Sequence, residues 1–147
     1  MIGIHAHTLV LPQYWVTGLE TEDLNNLAAH VSIEFYIPEI QEKNLHVMAV
    51  ENITAGVLGP LSVWVELSPV PSVMSTAYWA AIGGGGGALG PVAPLVIAGV
   101  GVGTVHTEMI PWAIHSEWAR VIAQMPASAN PLTAFWQVQL IFSGKTF

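Results

Sequence analysis

The chain has 147 residues, 52% of them apolar and only 9% charged, with three Lys+Arg against ten Asp+Glu and a net charge of −7. That length fits one domain with a real core, and the scarcity of cations excludes phosphate-backbone binding, which needs clustered Lys and Arg. There is no cysteine, which excludes disulfides, thiolate chemistry and Cys-based metal sites.

A typical soluble domain carries about 25% charged residues. Here Lys43, Arg120, Lys145 and ten carboxylates must cover the whole exterior. The composition therefore predicts that other subunits cover part of the surface. The first residues lack a basic stretch followed by an apolar run, so no secretory signal peptide is expected.

In chain order, residues 1–16 are apolar and aromatic around Pro12 and read as an N-terminal arm or first strand, followed by a single domain over 17–147. Thr21-Glu22-Asp23 has helix-start chemistry, with a capping hydroxyl and carboxylates at the positive end of the dipole. A short helix over 21–29 and a polar loop are both open. From Val31 the period becomes two, with Val31, Ile33, Phe35 and Ile37 on one side until Pro38. A strand is expected over 45–54. The clearest one is 61–68, where Leu61, Val63, Val65 and Leu67 alternate with Ser62, Trp64, Glu66 and Ser68. Further strands are predicted over 76–82, 92–98, 103–110, 117–125 and 134–143. Seven to nine short strands ended by Gly or Pro predict an all-β antiparallel sandwich, jelly-roll-like, with at most one short N-terminal helix.

No Asp, Glu, Lys or Arg occurs from Leu67 to Thr107. Ala88–Val105 is apolar for about a bilayer span. Pro91, Pro94 and the glycines at 90, 99, 101 and 103 oppose a helix, and no Lys or Arg flanks the segment as an anchor, so the sequence argues against a membrane span. The run Gly83-Gly84-Gly85-Gly86-Gly87 lacks the following Lys-Ser/Thr of a phosphate loop. It reads either as a flexible hairpin tip or as a loop ordered against a neighbouring subunit.

Histidine alone hints at a metal site. His5 and His7, two apart, share one side of a strand but lack an identified third ligand. His106 with Glu108 and His115 with Glu117 repeat the pattern, and a carboxylate beside each imidazole suits a metal or a pH-sensitive cluster. The plainer reading, solvated or hydrogen-bonded surface groups, carries more weight for all six, so neither metal nor cofactor is expected. No nucleophile motif is present, and no enzyme is predicted. Trp15, Trp64 and Gly83 to Gly87 are the candidate interface residues. An exposed Trp64 beside Glu66 suits a subunit anchor or a sugar-stacking platform. Asn52-Ile53-Thr54 matches the N-glycosylation pattern and, without a signal peptide, reads as chance.

The closing strands Ala119-Arg120-Val121-Ile122-Ala123-Gln124 and Phe135 to Gly144 make residues 31–144 resemble the β-sandwich and jelly-roll structural proteins of virus and phage particles. The resemblance is architectural. It implies a capsid, decoration or tail-type subunit that contacts copies of itself and other assembly subunits, located in a virion built without export or, alternatively, in an extracellular assembly. Two competing readings stand beside it: a carbohydrate- or receptor-binding module, and a membrane-active protein using residues 67–107.

Overall fold

The computed structural model describes residues 5–17, 23–24, 27–28, 30–85, 91–126 and 133–146. They form a β-sandwich of two antiparallel sheets without a helix. The first sheet contains β1 (His5–Val10), β2 (Tyr14–Val16), β7 (Glu42–Asn52), β11 (Val105–Trp112) and β13 (Phe135–Thr146), in the order β1-β13-β7-β11, with β2 also on β13. The second contains β5 (His30–Val31), β6 (Phe35–Tyr36), β8 (Leu61–Ser68), β9 (Ala80–Ala81), β10 (Leu95–Ile97) and β12 (Trp118–Gln124), built around the β8–β12 pair. A separate two-stranded ribbon joins β3 (Asp23–Leu24) to β4 (Leu27–Ala28).

Period-two patterning builds the core. In β13, Trp136, Val138, Leu140 and Phe142 point inward, and their neighbours on β7 are Leu45, Val47 and Ala49. Leu61, Val63, Val65 and Leu67 of β8 and Ala119, Val121 and Ala123 of β12 face them from the second sheet. The small alanines of β12 and the large residues of β13 belong to one continuous core. Trp136 sits wholly buried at this interface and its indole N–H donates to Gly59 O at 2.9 Å.

The N-terminal segment is part of the first sheet. β1 pairs residue for residue with Val10↔Ile141 through His5↔Thr146, and β2 pairs with Trp136 to Val138. Pro12 lies between β1 and β2, where Leu11 N donates to Leu140 O at 3.0 Å and Gln139 Nε2 donates to Leu11 O at 2.8 Å.

Three expectations are corrected. The short helix open over 21–29 is absent from its described residues: Asp23 pairs with Ala28 and Leu24 with Leu27 as two short strands, and a nine-residue helix is marginal on its own, while 21, 22, 25, 26 and 29 lie outside the described residues. The run 31–37 is not one strand. Ser32 N donates to Val121 O at 2.8 Å while Val121 N donates to Ser32 Oγ at 2.8 Å, so a hydroxyl takes a ladder position and the chain changes face. Phe35 and Ile37 stay in the main core, Val31 packs on the opposite side of the sheet, and Ile33 is exposed. Finally, 76–82 contributes only β9, because residues 72–78 form turns.

Candidate functional site

Ionic groups are scarce, so their positions decide what the exterior can do. Two of the three cations are buried, Lys43 at 2% and Arg120 at 6% exposure. The third, Lys145, lies on the surface 3.3 Å from Glu42. The outside of the molecule is thus poorer in positive charge than the composition implies, and it displays sixteen exposed large apolar or aromatic side chains among the described residues.

Arg120 projects from the outward register of β12, opposite Glu66 of β8. Its Nε and Nη2 donate to Glu66 Oε2 at 3.0 and 2.7 Å, and Trp64 Nε1 donates to Glu66 Oε1 at 3.2 Å. The ring of Trp79 lies 4.2 Å from the guanidinium carbon, and the indole N–H of Trp79 donates to Ser72 Oγ at 3.0 Å. Ser72 N in turn donates to both Glu34 oxygens at 3.1 and 3.2 Å. Residues 69–82 therefore fold back over the outer face of the second sheet. They bury Trp64, Ile122 and Ala81 in a second small core and seal an ion pair in which both Glu66 oxygens accept hydrogen bonds. Desolvation of such a pair roughly cancels its attraction, so its consequence is geometric: it fixes where the cover sits.

Glu51, at the inward end of β7, is the second buried carboxylate, at 1% exposure. Val100 N donates to its oxygens at 2.8 and 3.0 Å, Gly101 N at 3.2 Å, and His106 Nε2 at 3.1 Å. Burial alone pushes the carboxyl pKa up. The donors from His106, Val100, Gly101 and the Leu58 backbone outweigh it and hold the group below its ordinary value. A Cβ on Gly99 would overlap Leu58 O and approach Glu51 Oε1, so only glycine permits this seat. Its effect is to hold an otherwise apolar loop, with Val100 and Val102 exposed, in one conformation.

Lys43 sits on the inward register of β7 near the start of that strand, and its Nζ donates to Ile40 O at 2.9 Å. Burial lowers its pKa. An open groove of about 690 Å³ lies beside it, between residues 38–42 and the 113–115 segment.

The structure separates the histidine pairs. His106 meets Glu51, not Glu108, because strand register places it against the β7 carboxylate; Glu108 is exposed. His115 and Glu117 are exposed in the connection before β12. His7 Nε2 lies 3.0 Å from Thr146 Oγ1, and the His5 backbone pairs with Thr146. Among the described residues no three His, Asp or Glu side chains converge. Trp64, expected on an exposed register, is buried under residues 69–82. Trp15 is exposed, edge-on to Phe135 at 6.2 Å. Gly83, Gly84 and Gly85 have φ of 90°, 106° and 76° in a turn closed by Ala81 N→Gly85 O at 3.0 Å, while Gly86 and Gly87 lie outside the described residues. Among the described residues no helix is long and apolar enough to cross a membrane.

Sequence reading missed Glu51, Glu66 and the burial of Lys43 and Arg120. The one local signal was Trp64 and Glu66 together on the outward side of a strand with Arg120 elsewhere. Glu51 carried none, since its donors Val100, Gly101 and His106 lie some fifty residues on.

No known family model matches the chain, and no curated protein sequence matches it. Among solved structures, it is similar to a chain of Bacillus endospore appendages, which form a family of disulfide-linked pili (TM-score 0.46, 12% identity, 98% of this chain and 88% of that one). It is also similar to a chain of the T13 infectious bursal disease virus particle (TM-score 0.43, 10% identity, 97% of this chain and 31% of that one) and to one of the Gx strain of that virus (TM-score 0.43, 9% identity, 99% and 33%). The chain spans about a third of the length of the two viral chains.

Proposed function

We propose that this protein is a structural subunit of a homo-oligomeric assembly, of capsid, decoration or tail type in a virion, with no chemistry of its own. The observation that carries the reading is the pairing of an apolar exterior with buried cations: sixteen large hydrophobics exposed among the described residues, Lys43 and Arg120 buried. A monomer keeps its exterior soluble with mixed charges and small apolar patches. This chain does the opposite and needs neighbours to cover what it displays. The carbohydrate-binding alternative loses its leading residue, because Trp64 is packed against Glu66 inside the molecule.

Negative-stain electron microscopy and light scattering of the purified chain test the reading. Particles, rings or filaments of uniform repeat are expected. A monodisperse monomer at millimolar concentration overturns it, and closed shells against open tubes distinguish a capsid-type from a tail-type subunit.

A further inference from the structure

The two sheets differ in what covers their outer faces. On the second sheet, residues 69–82 bury Trp64, Ile122 and the Glu66–Arg120 pair. On the first, the outward side chains of Val10 on β1, Trp15 on β2, Met48 on β7 and Val105 and Met109 on β11 stand exposed, while Gln139 of β13 reaches back to Leu11 O. Register fixes their arrangement in rows across the strands. Val10, Ile141, His46 and Met109 form one row, Gln139, Met48 and Thr107 the next, and Trp15, Gln137, Val50 and Val105 a third. Of these, Val10, Trp15, Met48, Val105 and Met109 are exposed. The outward side chains of these rows include no Asp, Glu, Lys or Arg; the Glu42–Lys145 pair stands at one end of the sheet.

We propose that this face is a homotypic interface, packed sheet against sheet on a second copy of the chain. Charge selects the occupant. Each copy carries −7 and shows a single exposed cation, already paired. Copies cannot meet by opposite charges, and they meet at least cost where neither presents a carboxylate. A basic partner, conversely, would be drawn to the acidic remainder of the surface. The face also complements itself chemically. Gln137 carries both an amide donor and an acceptor, and Gln139, whose Nε2 donates to Leu11 O, keeps its amide oxygen as an acceptor; Met48 and Met109 in the same rows adapt to an identical surface. Its size suffices: four strands about 4.8 Å apart and about eight residues long at ~3.4 Å each give roughly 500 Å² per copy. That is about 1,000 Å² for the pair, the lower bound of a specific interface. Pro111, on the edge strand β11, has no N–H to offer an added strand, which favours packing through the face over pairing along that edge.

The inference rests on the assembly reading, and the test separates the two. Met48→Glu and Thr107→Glu each place a carboxylate in the middle of the face, and Val73→Glu places one on the most exposed apolar residue of the 69–82 cover. Melting curves verify folding. Light scattering against concentration is expected to show at least a 100-fold weaker association for either face variant and an unchanged one for Val73→Glu. If Met48→Glu fails to fold, Thr107→Glu decides. Because the chain has no cysteine, single cysteines at 48, 107 and 141 report the contact directly. Oxidation is expected to give disulfide dimers from at least one of them and none from Val73→Cys. Face variants that assemble like the parent, or cross-links at 73 alone, overturn the interface and leave the assembly reading standing. A parent chain that is monomeric throughout overturns both.

Discussion

Replacing Glu51 by alanine removes the acceptor for Val100 N, Gly101 N and His106 Nε2 at once. A hydrogen bond to an ionised group contributes about 1.5–3 kcal/mol, and three would sum to well over 4. Val100 is exposed, however, so water recovers part of its bond. The net cost is about 3–4 kcal/mol, a large share of the ~5–15 kcal/mol stability of a domain. The pH dependence is the sharper test. The folded carboxyl lies below the 4.5 of the free group, so as pH falls the unfolded chain takes up the proton first. Glu51 therefore contributes its full stabilisation above about pH 4.5 and loses it as pH falls through the lower folded value. Urea unfolding of the parent and Glu51→Ala between pH 7 and 2.5 should show a constant gap above 4.5 that closes in acid. A gap below about 1 kcal/mol at neutral pH, or one that does not narrow, refutes the account of the carboxylate as the loop's anchor.

Gly99→Ala should destabilise by about 2–4 kcal/mol, since its Cβ overlaps Leu58 O. It should add less than its full cost on top of Glu51→Ala, which a double-mutant cycle measures. Arg120→Leu alone should cost about 3–5 kcal/mol by stranding Glu66, whereas Arg120→Leu with Glu66→Leu should be near neutral in chemical denaturation. Lys43→Met should change stability at neutral pH by less than about 1 kcal/mol, trading the bond to Ile40 O for relief of a buried charge. Since the folded Lys43 pKa lies below 10.5, the parent pays a penalty below that folded value which fades as pH rises toward 10.5. Alkaline titration of stability should show a rise in the parent that Lys43→Met lacks.

The sandwich was legible because its long strands alternate cleanly. β8 begins and ends at Leu61 and Ser68 as the pattern predicts, and β12 and β13 follow from the same rule. What failed was any feature set by partners distant in sequence. Glu66 reads as a solvated strand residue until Arg120 and the 69–82 cover are brought onto it. Ile33 reads as core until Ser32 substitutes its hydroxyl for a ladder position. His106 and Glu108 share a strand face, yet the carboxylate that reaches the imidazole comes from β7. The short helix failed for the opposite reason: local capping signals were present, yet Asp23–Leu24 pairs with Leu27–Ala28 as strands.

Burying Lys43 and Arg120 does little for stability, since apolar residues of the same volume would serve as well. Its effect on the exterior is larger. With both cations inside, the described carboxylates Glu34, Glu39, Glu108 and Glu117 have no exposed Lys or Arg available on a neighbouring copy beyond Lys145, which Glu42 engages. Contacts between copies that bring those carboxylates together are disfavoured, and those that bring the uncharged rows of the first sheet together are not. Specificity in such a system comes as much from the surfaces that cannot meet as from the one that can. The Glu51 seat serves the same end at the β7 terminus. It holds the Val100–Val102 loop at the end of β7, so that its exposed apolar side chains are displayed in one arrangement and little conformational entropy remains to be lost on contact.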